Sequence, residues 1–185
     1  NIDKGWRRKA VREIADTDKP LSVLDVACGT GDFTIEIARK VARGSQITGI
    51  DLSEGMMKVG REKIAAARVD ATLEYGDCEA LTYADDTFDR ISVGFGVRNF
   101  EHLQQGYAEM YRVLAKGGVL CVIELSVPKN PIIKAFYNLY TSTLIPMVGK
   151  MISKDRRAYS YLPESIAAVA QGEEMLEIMR KEGLL

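Results

Sequence analysis

The sequence is poor in the residues that build metal and disulfide sites. Its 185 residues include three cysteines, Cys28, Cys78 and Cys121. Three cysteines cannot all pair and none forms a Cys-x-x-Cys, which argues against a disulfide framework or zinc ribbon and fits a reduced, cytoplasmic protein. There is one histidine, His102, and no run with metal-ligand spacing, so no metal is expected. An excess of charge is also lacking. With 25 Lys and Arg against 26 Asp and Glu, the net charge is −1, which gives no reason to expect a phosphate-tracking nucleic-acid binder. Long apolar runs are missing too. The longest uncharged stretch, Ala135 to Gly149, is interrupted by Asn138, Thr141, Ser142, Thr143 and Pro146, and is too short and polar to span a bilayer. No secretory leader is visible. The opening Asn-Ile-Asp-Lys-Gly-Trp-Arg-Arg-Lys is charged and lacks an initial Met, which suggests a trimmed chain.

What is present is ordinary globular material, 46% apolar and 28% charged, of a length that favours one domain. Apolar runs of strand length alternate with amphipathic helical patterns, as in a parallel sheet covered by helices. Strands are expected at Ser22–Ala27, Gln46–Ile50, Ala71–Tyr75, Phe88–Gly94 and Val119–Leu125. Helices are expected at Trp6–Ile14, Phe33–Ala42, Met56–Ala67 (capped by Ser53), Glu101–Leu114 and Glu173–Lys181. Lys-Gly-Gly at 116–118 supplies the freedom that a helix-to-strand turn needs. Pro131 to Ser153 is a further helical stretch, bearing aromatics and methionines and broken by Pro146.

The strongest local signal is Asp25-Val-Ala-Cys-Gly-Thr-Gly-Asp32, between the first strand and the first core helix. Gly29 and Gly31 allow a tight turn and close approach of backbone to a ligand at the carboxyl ends of the strands. A dinucleotide loop would read Gly-x-Gly-x-x-Gly. Here the third position is Thr34, and Asp32 puts negative charge where a pyrophosphate seeks amide donors. The loop therefore favours a cationic nucleoside, S-adenosylmethionine, over NAD. Asp51 ends the second strand twenty residues after Gly31. Its carboxylate suits the two hydroxyls of a ribose, in either nucleotide, or simply charges the start of the next helix. Asp77-Cys78 follows the third strand, where the carboxylate can accept from an adenine amino group and the next amide can donate to the ring. The alternative is a turn aspartate.

Together with Gly49-Ile-Asp-Leu-Ser53, Gly76-Asp-Cys-Glu-Ala-Leu81, Phe88-Asp89 and Leu114-Ala-Lys-Gly-Gly118, these runs resemble the motifs of class I methyltransferases. More narrowly, Gly94-Phe-Gly-Val-Arg-Asn99, Tyr111-Arg-Val-Leu114, Glu124-Leu-Ser126 and Tyr159-Ser-Tyr-Leu-Pro-Glu-Ser-Ile166 resemble the quinone C-methyltransferases of menaquinone and ubiquinone biosynthesis, a likeness that runs along essentially the whole chain. It implies a Rossmann-like, doubly wound, mostly parallel α/β sheet with helices on both faces. It also implies one domain over residues 1–185, with a helical substrate-side insertion at about 131–170. The cofactor implied is S-adenosyl-L-methionine. Its positions fall on Gly29, Thr30 and Gly31 in the loop, Asp51 at the ribose, and Asp77 with Cys78 at the adenine. They also include Gly94, a Ser in ubiquinone-type relatives, where contact has to be through backbone. An N-terminal segment and a final β-hairpin of such relatives are missing here, which again points to a truncated chain.

The activity implied is carbon methylation of a polyprenyl quinol, demethylmenaquinol ahead of a ubiquinone precursor because of Asp77-Cys78 and Gly94. Alternatives are a class I methyltransferase acting on a sterol or phenol, and a non-catalytic nucleoside-binding module, which the intact Arg98-Asn99 disfavours. Arg98, at the carboxyl end of the fourth strand, is the candidate catalytic residue. Always charged, it is a poor base but can stabilise a developing phenolate; its other reading is an ion pair with a nearby acid. His102 reads either as a general base or as an exposed helix-start residue. Tyr159 and Tyr161 read as pocket lining or as packing. Pro131 to Ser153 reads as a lid, as a groove for the polyprenyl tail, or as both. Lys134, Lys150 and Lys154 would meet anionic headgroups, so residues 131–154 give a peripheral contact at the inner face of the membrane. The partners expected are the quinol, that membrane surface and a second copy of the chain, with no nucleic acid.

Overall fold

Five strands rich in Val, Ile and Leu pair side by side in one direction in the computed structural model, which describes residues 2–128, 130–131, 165–166 and 168–185. They are β1 (Ser22–Val26), β2 (Gln46–Asp51), β3 (Thr72–Tyr75), β4 (Phe88–Gly94) and β5 (Leu114–Ile123). The order is β3-β2-β1-β4-β5, parallel throughout. The chain winds outward from β1 to β3 and then returns to the other side of β1. That reversal leaves a crevice at the carboxyl ends of β1 and β4, where such sheets bind ligands.

The helices are α1 (Ile2–Ile14), α2 (Asp32–Ala38), α3 (Glu54–Ala67), α4 (Leu103–Val113) and α5 (Glu173–Lys181). Alternation along the strands sorts the core into two faces. Val23 and Ile47 join Val11 and Ile14 of α1 and Phe33 and Ile37 of α2 in one cluster, with Cys121 and Ile123 packed against it. The next residues along the strands, Leu24, Val26, Ile50, Ile91 and Val93, are at most 1% exposed and form the opposite face. Tyr107 and Met110 of α4 are equally buried, and α4 packs on β5. The chain divides into two compact units, residues 1–124 with 178–185, and residues 125–177. Within the second, the Val127 amide donates to the Gln171 side chain at 2.7 Å and Gln171 in turn donates to the Ile166 carbonyl. Of the expected stretch Pro131 to Ser153 only Pro131 lies among the described residues, and Lys154, Tyr159 and Tyr161 lie outside them.

β4 and α5 fall where the sequence places them, and Ser53 caps α3 by accepting from the Met56 amide. Other ends differ for local reasons. α2 closes at Ala38, short of Ala42, where the Arg39, Lys40 and Val41 amides donate to Ile35 and Ile37 in a tightened last turn. α4 starts at Leu103, not Glu101, because Glu79 holds the His102 amide and ring outside the helix. β5 begins early: Leu114 pairs with Phe88, but pairing resumes only at Val119 opposite Arg90. Residues 115–118 thus bulge out, with Gly117 at φ +76°, so the expected Lys-Gly-Gly turn sits inside the strand.

Asp25 lies in the middle of this frame, 1% exposed, on β1 opposite Gly49 and Ser92. Its carboxylate accepts from Thr34 Oγ1 on α2 and from Ser92 Oγ on β4, each at 2.6 Å. Burial pushes its pKa up to about 6, against the pull of the two hydroxyls. The sign follows directly. The unfolded chain loses this proton at lower pH than the folded one, so stability from this group falls as pH rises from about 4 to about 6. Above that window the anion depends on both hydroxyls. Thr34→Val removes one of them, and its cost in urea unfolding should be about 1–3 kcal/mol at pH ~8 and clearly less at pH ~5. An equal cost at both values would show that the bond does not serve the anion.

Candidate active site

The loop after β1 is held at several points, each of them legible as local chemistry. The Cys28 amide donates to the Ile50 carbonyl at 3.0 Å and the Gly31 amide to the Cys28 carbonyl at 2.9 Å. Gly29 and Gly31 sit at φ +55° and +72°, the left-handed region that a side chain would resist. Asp51, ending the neighbouring β2, accepts from the Gly29 amide through Oδ2 and from the Ser53 amide through Oδ1, both at 2.8 Å. One carboxylate thus joins the loop to the start of α3.

Beside it, a cavity of about 270 Å3 opens at the carboxyl ends of β1, β2 and β4. Ile50, Leu52 and Phe100 give it apolar wall, and Asp51, Asp77, Glu79 and Glu101 are its acidic residues; among the described residues none that lines it is Lys or Arg. Low-dielectric walls lined with one sign of charge focus the potential on a cation and repel phosphate. The cavity therefore fits a positively charged nucleoside and disfavours a dinucleotide. Asp77 is braced for such contact: its Oδ1 accepts from the Glu79 amide at 2.9 Å, fixing the turn after β3. Cys78 next to it is half-buried, and burial with the adjacent Asp77 pushes its thiol up to about 12, so it is a packing group at neutral pH and not a nucleophile. Burial pushes the Cys28 thiol up as well.

Of the expected site residues, the structure brings Asp51, Asp77 and Cys78 together on this cavity, but not Gly29, Thr30, Gly31, Gly94 or Arg98. The Thr30 hydroxyl is engaged away from the cavity: it donates to Asp32 Oδ2 at 3.1 Å and accepts from Lys63 Nζ at 3.0 Å. At Gly94 an added Cβ would meet the Phe33 ring at 3.0 Å, so the small residue keeps Phe33 in its place. Glu79, Asn99, Phe100 and Glu101 also line the cavity. Glu79 and Asn99 belong to the Gly76–Leu81 and Gly94–Asn99 motifs, whereas no local signal marks Phe100 or Glu101 as site residues.

Two residues of the loop region have partners that the sequence does not reveal. Asp32 does not offer its charge to a ligand: Lys63 Nζ lies 3.1 and 3.0 Å from its two oxygens, and despite partial burial Lys63 and Thr30 hold its carboxyl below the usual range. The acidity that suits a cation comes from the cavity wall instead. Thr34, read as a missing glycine, is the donor that satisfies Asp25. His102 is 63% exposed and its Nδ1 lies 2.8 Å from Glu79, which raises the imidazole pKa. Burial opposes it, but the amide and ring of His102 keep Glu79 below the usual carboxylate range.

Arg98, in the 3-10 turn Val97–Asn99 just past β4, donates through Nη1 to Glu124 Oε1 at 2.5 Å. The side chains are 14% and 9% exposed. The guanidinium Nε–H is buried without an acceptor among the described residues. Strain collects nearby. Phe95, directly after β4, and Ala27, directly after β1, hold φ +61° and +54° without being glycine, a cost of about 1–3 kcal/mol each that typically marks ligand sites.

The model of the ubiE/COQ5 methyltransferase family matches residues 1–185. A demethylmenaquinone methyltransferase of Porphyromonas gingivalis is 46% identical over 98% of this chain and 75% of its own length. A ubiquinone/menaquinone biosynthesis C-methyltransferase of Geobacter sulfurreducens is 40% identical over 98% of this chain and 71% of its own length. The chain thus spans about three quarters of the length of these relatives. Among solved structures, the [4+2]-cyclase SpnF superposes with a TM-score of 0.72 at 22% identity, over 97% of this chain and 57% of that one, a likeness of fold alone. The fold, the loop, the acidic cavity and the family match converge: the chain belongs to the ubiE/COQ5 methyltransferase family and is an S-adenosylmethionine-dependent methyltransferase.

Proposed function

We propose that the protein methylates a ring carbon of a polyprenyl quinol, demethylmenaquinol first, and that its donor binds in the acidic cavity between Asp51 and Asp77-Cys78. The observation that carries the placement is the cavity's four acidic lining residues, with no Lys or Arg among the described ones, beside a glycine loop. The substrate class rests on the names of relatives at 46% and 45% identity, both demethylmenaquinone methyltransferases. S-adenosylmethionine supplies a methyl carbon made electrophilic by its sulfonium. Asp51 takes the ribose hydroxyls on lone pairs left over from its two amides, Asp77 and the Cys78 amide meet the adenine edge, and Gly29, Thr30, Gly31 and Gly94 contribute backbone.

Methyl transfer is an in-line displacement, so the protein's work is positioning, shielding from water and answering charge. A quinol ring carbon becomes nucleophilic as its phenolic proton leaves. Arg98 is the group for that charge. Glu124 holds the guanidinium rigid, and the Nε–H without an acceptor is a directed donor for the oxygen of the developing phenolate. Residues 131–170 are the part of the sequence proposed to serve the substrate, and residues 131–154 to bring the protein, from the cytoplasm, to the membrane surface where a polyprenyl quinol resides. No helix among the described residues is long and apolar enough to cross a membrane. A second copy of the chain remains a proposed partner.

Asp51→Ala should weaken S-adenosylmethionine binding at least tenfold in calorimetry, because charge-assisted hydrogen bonds are worth about 1.5–3 kcal/mol each. Unchanged affinity in a folded variant overturns the ribose assignment. For Arg98, Arg98→Lys keeps a cation beside Glu124 but removes the Nε–H, so turnover of a demethylmenaquinol should fall about 10²–10³-fold with donor affinity unchanged. Near-normal turnover would make Arg98 purely structural. Arg98→Ala should in addition unfold at lower denaturant, since Glu124 loses the guanidinium that faces its buried carboxylate.

A further inference from the structure

We propose that Lys63, together with Gly60 on the same helix, is a positioning residue for the methyl donor: α3 braces the glycine loop from behind, and Lys63 fixes the conformation in which the loop receives its ligand. The inference rests on the placement of S-adenosylmethionine beside that loop.

Three observations carry it. First, the loop is intrinsically loose. Its two glycines stand at positive φ, and the N-cap of α2 is Gly31, which has no side chain to hold the first turn. Order has to be imposed from outside. Second, α3 lies directly against the loop. An added Cβ at Gly60 would come within 3.2 Å of the Thr30 carbonyl carbon and 3.3 Å of its oxygen, and Gly60 Cα lies 3.6 Å from where a Cβ on Gly31 would sit. Third, one turn further along α3, Lys63 Nζ reaches Thr30 Oγ1 at 3.0 Å and both Asp32 oxygens at 3.1 and 3.0 Å. The Thr30 hydroxyl closes the triangle by donating to Asp32. One ammonium thus joins the tip of the loop to the first residue of α2, across more than thirty residues of sequence.

The consequence is a division of labour between the two acids nearest the loop. Asp51 holds the Gly29 amide on the cavity side. Asp32, with its charge matched by Lys63, holds Thr30 on the far side and directs no unpaired charge at the ligand. Such a device acts through shape. It should affect the positively charged donor and its neutral thioether product, S-adenosylhomocysteine, equally, whereas a carboxylate in direct contact with the sulfonium would favour the donor. It should also alter binding more than the methyl-transfer step itself.

The test is calorimetry and steady-state kinetics on the full chain with Lys63→Met, Lys63→Arg, Asp32→Asn and the double variant Lys63→Met/Asp32→Asn, each checked for folding by circular dichroism. Lys63→Met should raise the dissociation constants of S-adenosylmethionine and S-adenosylhomocysteine by the same threefold to tenfold. Turnover at saturating donor should stay within twofold. Lys63→Arg should restore most of the affinity, and the double variant should be no weaker than either single one, since the pair acts as a unit. Unaltered affinity in Lys63→Met, additive losses in the double variant, or an Asp32→Asn loss confined to S-adenosylmethionine each overturns the proposal. A variant that fails to fold leaves Lys63→Arg and Asp32→Asn to decide it by the same ratio of affinities. Failure of the unaltered chain to bind S-adenosylmethionine would instead overturn the placement of the donor, a separate result.

Discussion

The hydrogen bond from the Gly29 amide to Asp51 is the constraint on which the site depends. A loop with two residues at positive φ has many conformations open to it, and a carboxylate fixed at the end of the adjacent strand selects one. Because β1 and β2 are neighbours in register, with Asp25 opposite Gly49 and Val26 opposite Ile50, the end of β2 arrives beside the start of the loop without further adjustment. The same carboxylate receives the Ser53 amide, and Ser53 caps α3. Loop, strand end and helix start therefore share one acceptor. The sheet order does the rest by bringing the strained ends of β1 and β4, Ala27 and Phe95, to adjacent positions above it.

Features that depend on short-range pattern were legible in the sequence, and features that depend on distant partners were not. Strand β4, helix α5 and the Ser53 cap follow from periodicity and cap chemistry within a few residues. The acids at the ends of β2 and β3 could be placed because a parallel sheet with this motif order brings them to one edge. By contrast, nothing local in Asp32 reveals that Lys63, thirty-one positions on, will neutralise it. Read alone, Asp32 looked like the acid that meets a cationic ligand. The role of Thr34 is hidden in the sequence for the same reason. Its role is set by Asp25, nine residues back and one strand deeper, which only the folded core brings within 2.6 Å. Arg98 was legible as a special residue and as a candidate for an ion pair with an acid, but the identity of that acid, Glu124, twenty-six residues away on the stretch following β5, was not.

Electrostatics, more than the fold, narrows the chemistry. A Rossmann-like sheet with a glycine loop serves nucleotides of several kinds, and the likeness to the [4+2]-cyclase SpnF is one of fold alone. In this chain, pyrophosphate recognition would require amides and cations facing the ligand. The structure has instead engaged a loop-side cation, Lys63, which is not among the cavity's lining residues, with Asp32 and Thr30. The cavity wall is left to four carboxylates. The single histidine is engaged by Glu79 at the rim, so no imidazole stands ready as a base.

That arrangement also explains why a methyltransferase can afford a buried arginine paired with a glutamate. Removing two charges from water is costly, and an apolar pair would pack as well. What the Arg98–Glu124 pair adds is direction. The Arg98 amide and Nη1 both donate to Glu124, so backbone and side chain of the 3-10 turn are locked to the end of β5 by one carboxylate. The Phe95 amide donates to the Ile123 carbonyl at 2.7 Å, a second tie across the same gap that holds the left-handed Phe95 in place. With the turn fixed twice, the guanidinium plane and its Nε–H have one orientation. In the role proposed for Arg98, where the barrier depends on alignment and on a growing negative charge, a donor that needs no reorganisation is worth more than a mobile charge of the same sign.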